Sequence, residues 1–317
     1  MASTQIFKFF YIVLFAIFAI FASITYAEDS SLKVSRSNIQ QLKKIIQSRP
    51  HDPNLHFNLA NNYWKLGQYE KSIEHYNETL KIHPSDAEAH TGIGFAYGKI
   101  GLTKEAIHHY HEALKINPDD PKAHYRLGYE FINTGELKKA RTYFEGATNL
   151  DPYFALAFKE LAYVTVKLKD TENAIKYYKQ SLKLDRNDEN THRELLELYE
   201  QTGKIGQAIG QYEEIIRIDS KNFSARHALA SLYTKEGREK DAVRHYRIAI
   251  KFNPNDLKAH KALADLHTQS GKLASAIKHF KEVIRINPKD SKTYSKLARV
   301  YDLQGNRSKA IHIYESI

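Results

Sequence analysis

Apolar residues follow two patterns along this chain. From Phe9 to Ala22 every side chain is apolar, and the stretch without charge runs on to Ala27. From residue 38 onwards apolar residues recur at steps of three and four. In 90–118, Ile93, Phe95, Tyr97 and Ile100 precede Gly101, and Ala106, Ile107, Tyr110 and Leu114 follow it. That spacing puts one apolar stripe on each of two helices, A and B, with a turn at the glycine. A proline then closes helix B, because the residue before proline disfavours helical backbone.

The unit repeats. Pro50, Pro84, Pro118 and Pro152 step by 34 residues, and Pro254 and Pro288 keep the beat, with Arg186 and Ser220 on the two vacant places. Gly67, Gly101, Gly135, Gly203, Gly237, Gly271 and Gly305 share the step, with Lys169 on the vacant one. Tyr76, Tyr110, Phe144, Tyr178, Tyr212, Tyr246, Phe280 and Tyr314 keep it throughout. Units are expected to begin at Pro53, Ala87, Pro121, Ala155, Glu189, Phe223, Leu257 and Ser291, eight in all, the last (291–317) incomplete. A half-unit over 38–50 precedes them, with Ile39, Leu42, Ile45 and Ile46 in helix-B register, and 28–37 reads as a linker. Neither helix can bury its stripe alone, so the units must stack on one another.

In its second unit the chain carries Ile93-Gly94, Tyr97, Gly101, Ala106, Tyr110, Ala113 and Pro118. This resembles the tetratricopeptide repeat (TPR) family, and the likeness extends over 38–317. The resemblance implies an all-α fold, a right-handed superhelical solenoid of antiparallel helix pairs. It says little of function, since such repeats serve unrelated processes.

Departures from the pattern mark one segment. The unit 189–222 lacks the closing proline and carries Gly206 and Gly210 inside helix B. Each costs about 1 kcal/mol against alanine in a helix interior. With Lys169 and Arg186 just upstream, the weakest seam of the array is expected near 169–220. The final unit ends inside its helix B, which reads either as a boundary or as a surface for a partner or a second copy.

The leader changes the compartment. Lys8 is the only charge before Glu28, and Thr25 and Ala27 stand at the small places of a cleavage site. The continuous apolar core is 14 residues, short of the roughly 20 a spanning helix needs. Residues 1–27 therefore read as a cleaved signal peptide, with an uncleaved signal anchor as the alternative, and the chain is expected to be exported. With no cysteine, the chain has no disulfide, thiolate metal site or cysteine nucleophile. The net charge of +10 is uneven. Residues 28–220 hold 26 Lys+Arg against 28 Asp+Glu, a net of −2, and 221–317 hold 20 against 9, a net of +11. So lopsided an excess is expected to face an acidic partner, a polyanion or an anionic membrane, and export disfavours nucleic acid.

No catalytic constellation stands out, and no phosphate-loop, dinucleotide, nucleophile-elbow or zinc-protease motif occurs. The reading is a non-enzyme without cofactor or metal. His56, His90, His124, His192 and His260 recur at place four of helix A, one per unit, too far apart to share a metal; they read as rings filling the helix-A/helix-B interface. His108 and His111, an i,i+3 pair with His75 one unit back, lack a fixed third ligand. Asn77-Glu78-Thr79, Asn222-Phe223-Ser224 and Asn306-Arg307-Ser308 are glycosylation acceptors in a eukaryotic secretory route only.

What remains is surface. The TPR resemblance implies a concave face lined by helix-A places 2, 5, 9, 12 and 13. Carried over, these give a peptide-binding groove of Phe57, Asn61, Trp64, Phe95, Lys99, Lys122, Tyr125, Tyr129, Lys159 and Tyr163. In later units the same places carry charge, and Lys235, Lys258, Lys261, Lys292 and Arg299 form the expected basic surface. Of the carboxylate clamp that reads chaperone tails, Asn61, Lys122 and Arg126 fit, whereas Phe57 and Gly92 do not. An asparagine ladder would need asparagine at place six, where only Asn58 has it. The expectation is a scaffold that binds a protein or peptide in the groove, or alternatively an electrostatic module acting through the basic repeats. Self-association through the uncapped last repeat is a further expectation.

Overall fold

Residues 32–315 are described in the computed structural model. The expected signal segment, 1–27, lies outside them. Helix α1 covers 32–48, so helix begins inside the stretch expected as linker. The reason is that its stripe continues upstream: Leu32, Ser35, Ile39, Leu42 and Ile46 are buried or half-buried at steps of three and four. Ser35 holds a place on that stripe that a search for apolar residues passes over.

The chain divides at Tyr177/Tyr178 into two compact units. The first holds α1 and then α2 (Pro53–Lys65), α3 (Tyr69–Ile82), α4 (Ala87–Lys99), α5 (Thr103–Ile116), α6 (Pro121–Asn133), α7 (Leu137–Leu150) and α8 (Ala155–Lys167). Helix α9 (Thr171–Leu184) crosses the division. The second holds α10 (Glu189–Gln201), α11 (Ile205–Ile218), α12 (Phe223–Lys235), α13 (Glu239–Phe252), α14 (Leu257–Gln269), α15 (Leu273–Ile286), α16 (Ser291–Leu303) and α17 (Arg307–Glu315). No strand occurs among the described residues, and none of their helices is long and apolar enough to cross a membrane.

Local chemistry explains where these helices start. Asp52, Asp86, Asp120, Asp188, Asn222 and Asp256 precede A helices, and each side chain accepts a hydrogen bond from a first-turn backbone N–H. Such caps satisfy amides that a helix start leaves unpaired. Between A and B the backbone turns through a left-handed residue, a glycine at φ +68° to +82° in seven turns and Lys169 at +64° in one. Lys169 carries a Cβ where glycine carries none, so this turn stores backbone strain.

Within a hairpin the helices cross at small side chains. Ala60 faces Ser72, whose hydroxyl donates to the Ala60 carbonyl at 2.9 Å. Further along, Ala106, Ala140, Ala242, Ala264 and Ala276 are fully buried. The periodic aromatic of helix B fills the space beside the crossing: Tyr76, Tyr110, Phe144, Tyr246 and Phe280 are all at most 3% exposed. In the first unit the core runs through Ala106, Tyr110, Leu127, Phe131 and Phe144 to Leu161 and Val164. In the second, Ala276, Phe280, Leu297, Val300 and Tyr301 pack together.

Candidate peptide groove

Two adjoining concavities open on the A helices of the first unit. The larger, about 650 Å³, is lined by Phe57, Asn61 and Trp64 from α2 and by Phe95, Lys122 and Arg126 from α4 and α6. The smaller, about 250 Å³, is lined by Phe95, Lys99, Tyr125, Arg126 and Tyr129. Phe95 and Arg126 form the wall they share. Eight of the ten expected groove residues are thus brought together, whereas Lys159 and Tyr163 on α8 line neither concavity.

The rings order one another. Trp64 lies 5.2 Å from Phe95 between ring centroids, and Phe57 meets Tyr76 edge-on at 5.5 Å. The Tyr76 hydroxyl donates to Asn61 Oδ1 at 2.6 Å, which fixes the amide in the groove wall; burial pushes the Tyr76 phenol up to about 12, so it stays a donor. Tyr125 is half-buried against Phe144 and Phe154, 5.7 and 5.0 Å away. Tyr129 is 47% exposed.

Sequence reading placed Lys99 in the groove but left Arg126 outside it. The Arg126 guanidinium lies 4.1 Å above the Phe95 ring, and Lys99 Nζ lies 5.1 Å from it. Both are cation–π arrangements that hold positive charge against an apolar wall. Arg126 stands at place six of its helix, outside the places used to draw the groove; only its match to the carboxylate-clamp pattern pointed to it. In the lining of the smaller concavity Glu130 is 6% exposed, accepts from Asn133 Nδ2 at 3.2 Å, and has its carboxyl pushed up by burial. Gly98 makes room for that carboxylate, since a Cβ there would stand 2.5 Å from Glu130 Oε1.

The expected basic surface of the second unit is less uniform than its charge count. Lys261 Nζ is held by Asp290 at 2.5 Å, and its neighbour Lys296 by Asp265 at 2.8 Å. Lys235, Lys258, Lys292 and Arg299 are exposed. The place-four histidines sit between helices A and B as expected: His56, His192 and His260 are at most 7% exposed, and His90 and His124 are half-buried. Among the described residues no three His, Asp or Glu converge as metal ligands.

The fold and this lining define an all-α repeat protein built from stacked helical hairpins. Models of the tetratricopeptide repeat match residues 60–101, 87–120, 227–291 and 267–317. The chain belongs to the tetratricopeptide repeat family. A model described as a bacterial transcriptional activator domain matches residues 133–235. Among solved structures, the chain is similar to YrrB, described as a TPR protein with an unusual peptide-binding site, at 20% identity and a TM-score of 0.50 over 60% of this chain and 98% of that one. It is similar to pilF of Pseudomonas aeruginosa at 20% identity and a TM-score of 0.51, covering 67% and 97%. A chain of the Naa15/Naa10 complex bound to HypK-THB aligns at 17% identity and a TM-score of 0.57, over 79% of this chain and 39% of that one. These likenesses concern the fold. No curated protein matches the chain.

Proposed function

We propose that the protein is a non-catalytic scaffold that captures a peptide segment of a partner protein along the A helices of α2, α4 and α6. One observation carries this reading: two joined concavities lined by Trp64, Phe95 and Tyr129, with Arg126 and Lys99 placed over the aromatic wall. Aromatic and arginine anchors in partly desolvated pockets dominate interface energetics. Peptide binding by a protein of the same fold, as YrrB is described, agrees with it. The apolar leader supports an exported location, with the signal either cleaved or kept as an anchor.

Trp64 is the only tryptophan and lies in the larger concavity, so its fluorescence reports on occupancy. Residues 28–317, used to capture partners from native extract, should yield a protein whose binding shifts Trp64 emission and weakens at least tenfold with Phe95→Ala. Binding that ignores both Trp64→Ala and Phe95→Ala refutes the groove. A second reading is docking of an acidic partner or an anionic membrane through the second unit, favoured by the net +11 over 221–317 and the exposed Lys235, Lys258, Lys292 and Arg299. It expects affinity to fall steeply with salt and to respond to charge reversal at Lys258 and Lys292. Groove binding expects no response to those two reversals.

A further inference from the structure

Three hairpins carry the same pair of imidazoles. His56 Nδ1 lies 3.3 Å from His75 Nδ1, His90 Nδ1 lies 3.1 Å from His109 Nδ1, and His260 Nδ1 lies 3.1 Å from His279 Nδ1. In each, the first ring stands at place four of helix A and the second comes nineteen residues later, in helix B. The A-helix ring is also tied at its far side. Nε2 of His56 and Nε2 of His260 each lie 3.1 Å from a carbonyl, of Pro50 and Pro254, and His90 bonds the Pro84 backbone. A carbonyl only accepts, so Nε2 carries the hydrogen and Nδ1 of the neutral ring is left bare. The B-helix ring then donates its Nδ1–H into that lone pair. A single hydrogen joins the helices, and a proton placed on the receiving atom would abolish it.

The B-helix ring is covered from its other side by the same register. His75 stacks on Tyr63 at 5.5 Å, His109 lies against Tyr97 at 5.6 Å, and His279 stacks on His267 at 5.7 Å. We propose that these imidazole pairs are acid-labile clasps, holding helix A to helix B in α2–α3, α4–α5 and α14–α15 and releasing them as the pH falls below the range of free histidine.

Burial and the partner ring set the direction. Burial first, then His90 and His108, push the His109 imidazole down to about 4; burial first, then His260 and His267, do the same to His279. His75 is lowered by burial and then by His56. Charges around each pair do not cancel this. Glu74 and Glu78 on α3 favour a charged His75 while Lys43 on α1 opposes it. Asp86 and Glu112 favour charge on His90, and His108 opposes it. Lys278 on α15 and Arg247 on α13 oppose charge on His279. The carboxylates of Glu78, Glu112 and Glu282 are already engaged by Lys81, Lys115 and Arg285, at 2.6, 2.6 and 2.7 Å. Because the folded values lie below the unfolded value of about 6.5, the clasps' contribution is complete above about pH 6.5 and is lost as the pH falls from there towards 4. Two of the three hairpins carry Phe57, Trp64 and Phe95, so acid would loosen the groove; that consequence rests on the peptide-capture reading, and the clasps themselves do not.

The chain supplies its own control. In α10–α11 the B-helix place is Gln211, whose side-chain amide lies 2.7 Å from His192 Nδ1, while His192 Nε2 lies 3.1 Å from the Arg186 carbonyl. With its NH2 turned to Nδ1 a glutamine donates where the second imidazole does elsewhere, and it does not titrate. Urea unfolding followed by circular dichroism from pH 8 to pH 4.5, on the full chain and on H75Q/H109Q/H279Q, tests the proposal without any ligand. We expect the wild-type midpoint to fall steeply below about pH 6.5 and the triple variant to lose less than half as much. Parallel profiles overturn the proposal. Should the triple variant fail to fold at pH 8, imidazole NMR of the wild type decides. Titration of the His75, His109 and His279 rings below free histidine supports the clasps; all rings titrating together with free histidine overturn them.

Discussion

The same substitution, glycine to alanine, should move this protein in opposite directions at two places. In α11, Gly206 and Gly210 have open space where a Cβ would go, with no neighbouring atom within 4 Å. Alanine there adds no clash and removes the backbone entropy that glycine loses on entering a helix, about 0.5–1 kcal/mol at each site. The double variant Gly206→Ala/Gly210→Ala is therefore expected to stabilise α11 by about 1–2 kcal/mol. At Gly92 in α4 the backbone gain is the same, but a Cβ would stand 2.4 Å from Tyr76 Cζ and 2.8 Å from its hydroxyl. Tyr76 is 3% exposed and tied to Asn61 at 2.6 Å, so the ring can move only by breaking that bond and its packing. Overpacking of this kind costs about 1–3 kcal/mol, and Gly92→Ala should be destabilising on balance. Repeat arrays need not unfold in one step, so a local measurement is required. Amide hydrogen exchange over 205–218 should slow about 5- to 30-fold in the double variant, the factor that 1–2 kcal/mol implies. Exchange over 69–99 should quicken in Gly92→Ala. Unchanged protection of α11, or a stabilised α4, would refute the reasoning.

Two further expectations follow from the turns and helix ends. Lys169→Gly relieves a left-handed backbone at φ +64° and should stabilise its hairpin by about 1 kcal/mol, read as a raised denaturation midpoint; a lowered one would show that the side chain itself holds the turn. In wild-type protein, amides of α11 should exchange faster than those of α13 and α15, which carry no glycine, and equal protection of the three would contradict the weak seam.

Much of the fold is legible in the sequence because its signals are local. A helix length, a cap such as Asp86 or Asp256 and a turn at Gly101 depend on residues a few places apart, and a 34-residue period repeats the message. The leading helix was harder: Ser35 lies on its buried stripe without being apolar, so the helix starts earlier than the hydrophobic pattern suggests. The groove was legible in part. Places along helix A located Phe57, Trp64, Phe95 and Tyr129, since stacking carries equivalent places to one face. Arg126 stood outside those places, and its position over Phe95 depends on how two neighbouring hairpins pack.

The sequence by itself determined the period, the class of element and the division of charge, a near-neutral stretch followed by a basic one. Only the tertiary structure decided what individual side chains do within that frame. It pairs Lys261 with Asp290 and Lys296 with Asp265, some thirty residues apart, and so takes two cations out of the free basic surface. It distinguishes Gly92, pressed against Tyr76, from Gly206, facing open space. It joins His56 to His75 and His90 to His109, pairs nineteen residues apart that no helical spacing brings together. The physical reason is common to all three. Periodicity fixes which face of a helix is buried, whereas charge pairing, steric room and proton sharing depend on atoms that meet only after one helix has packed on another.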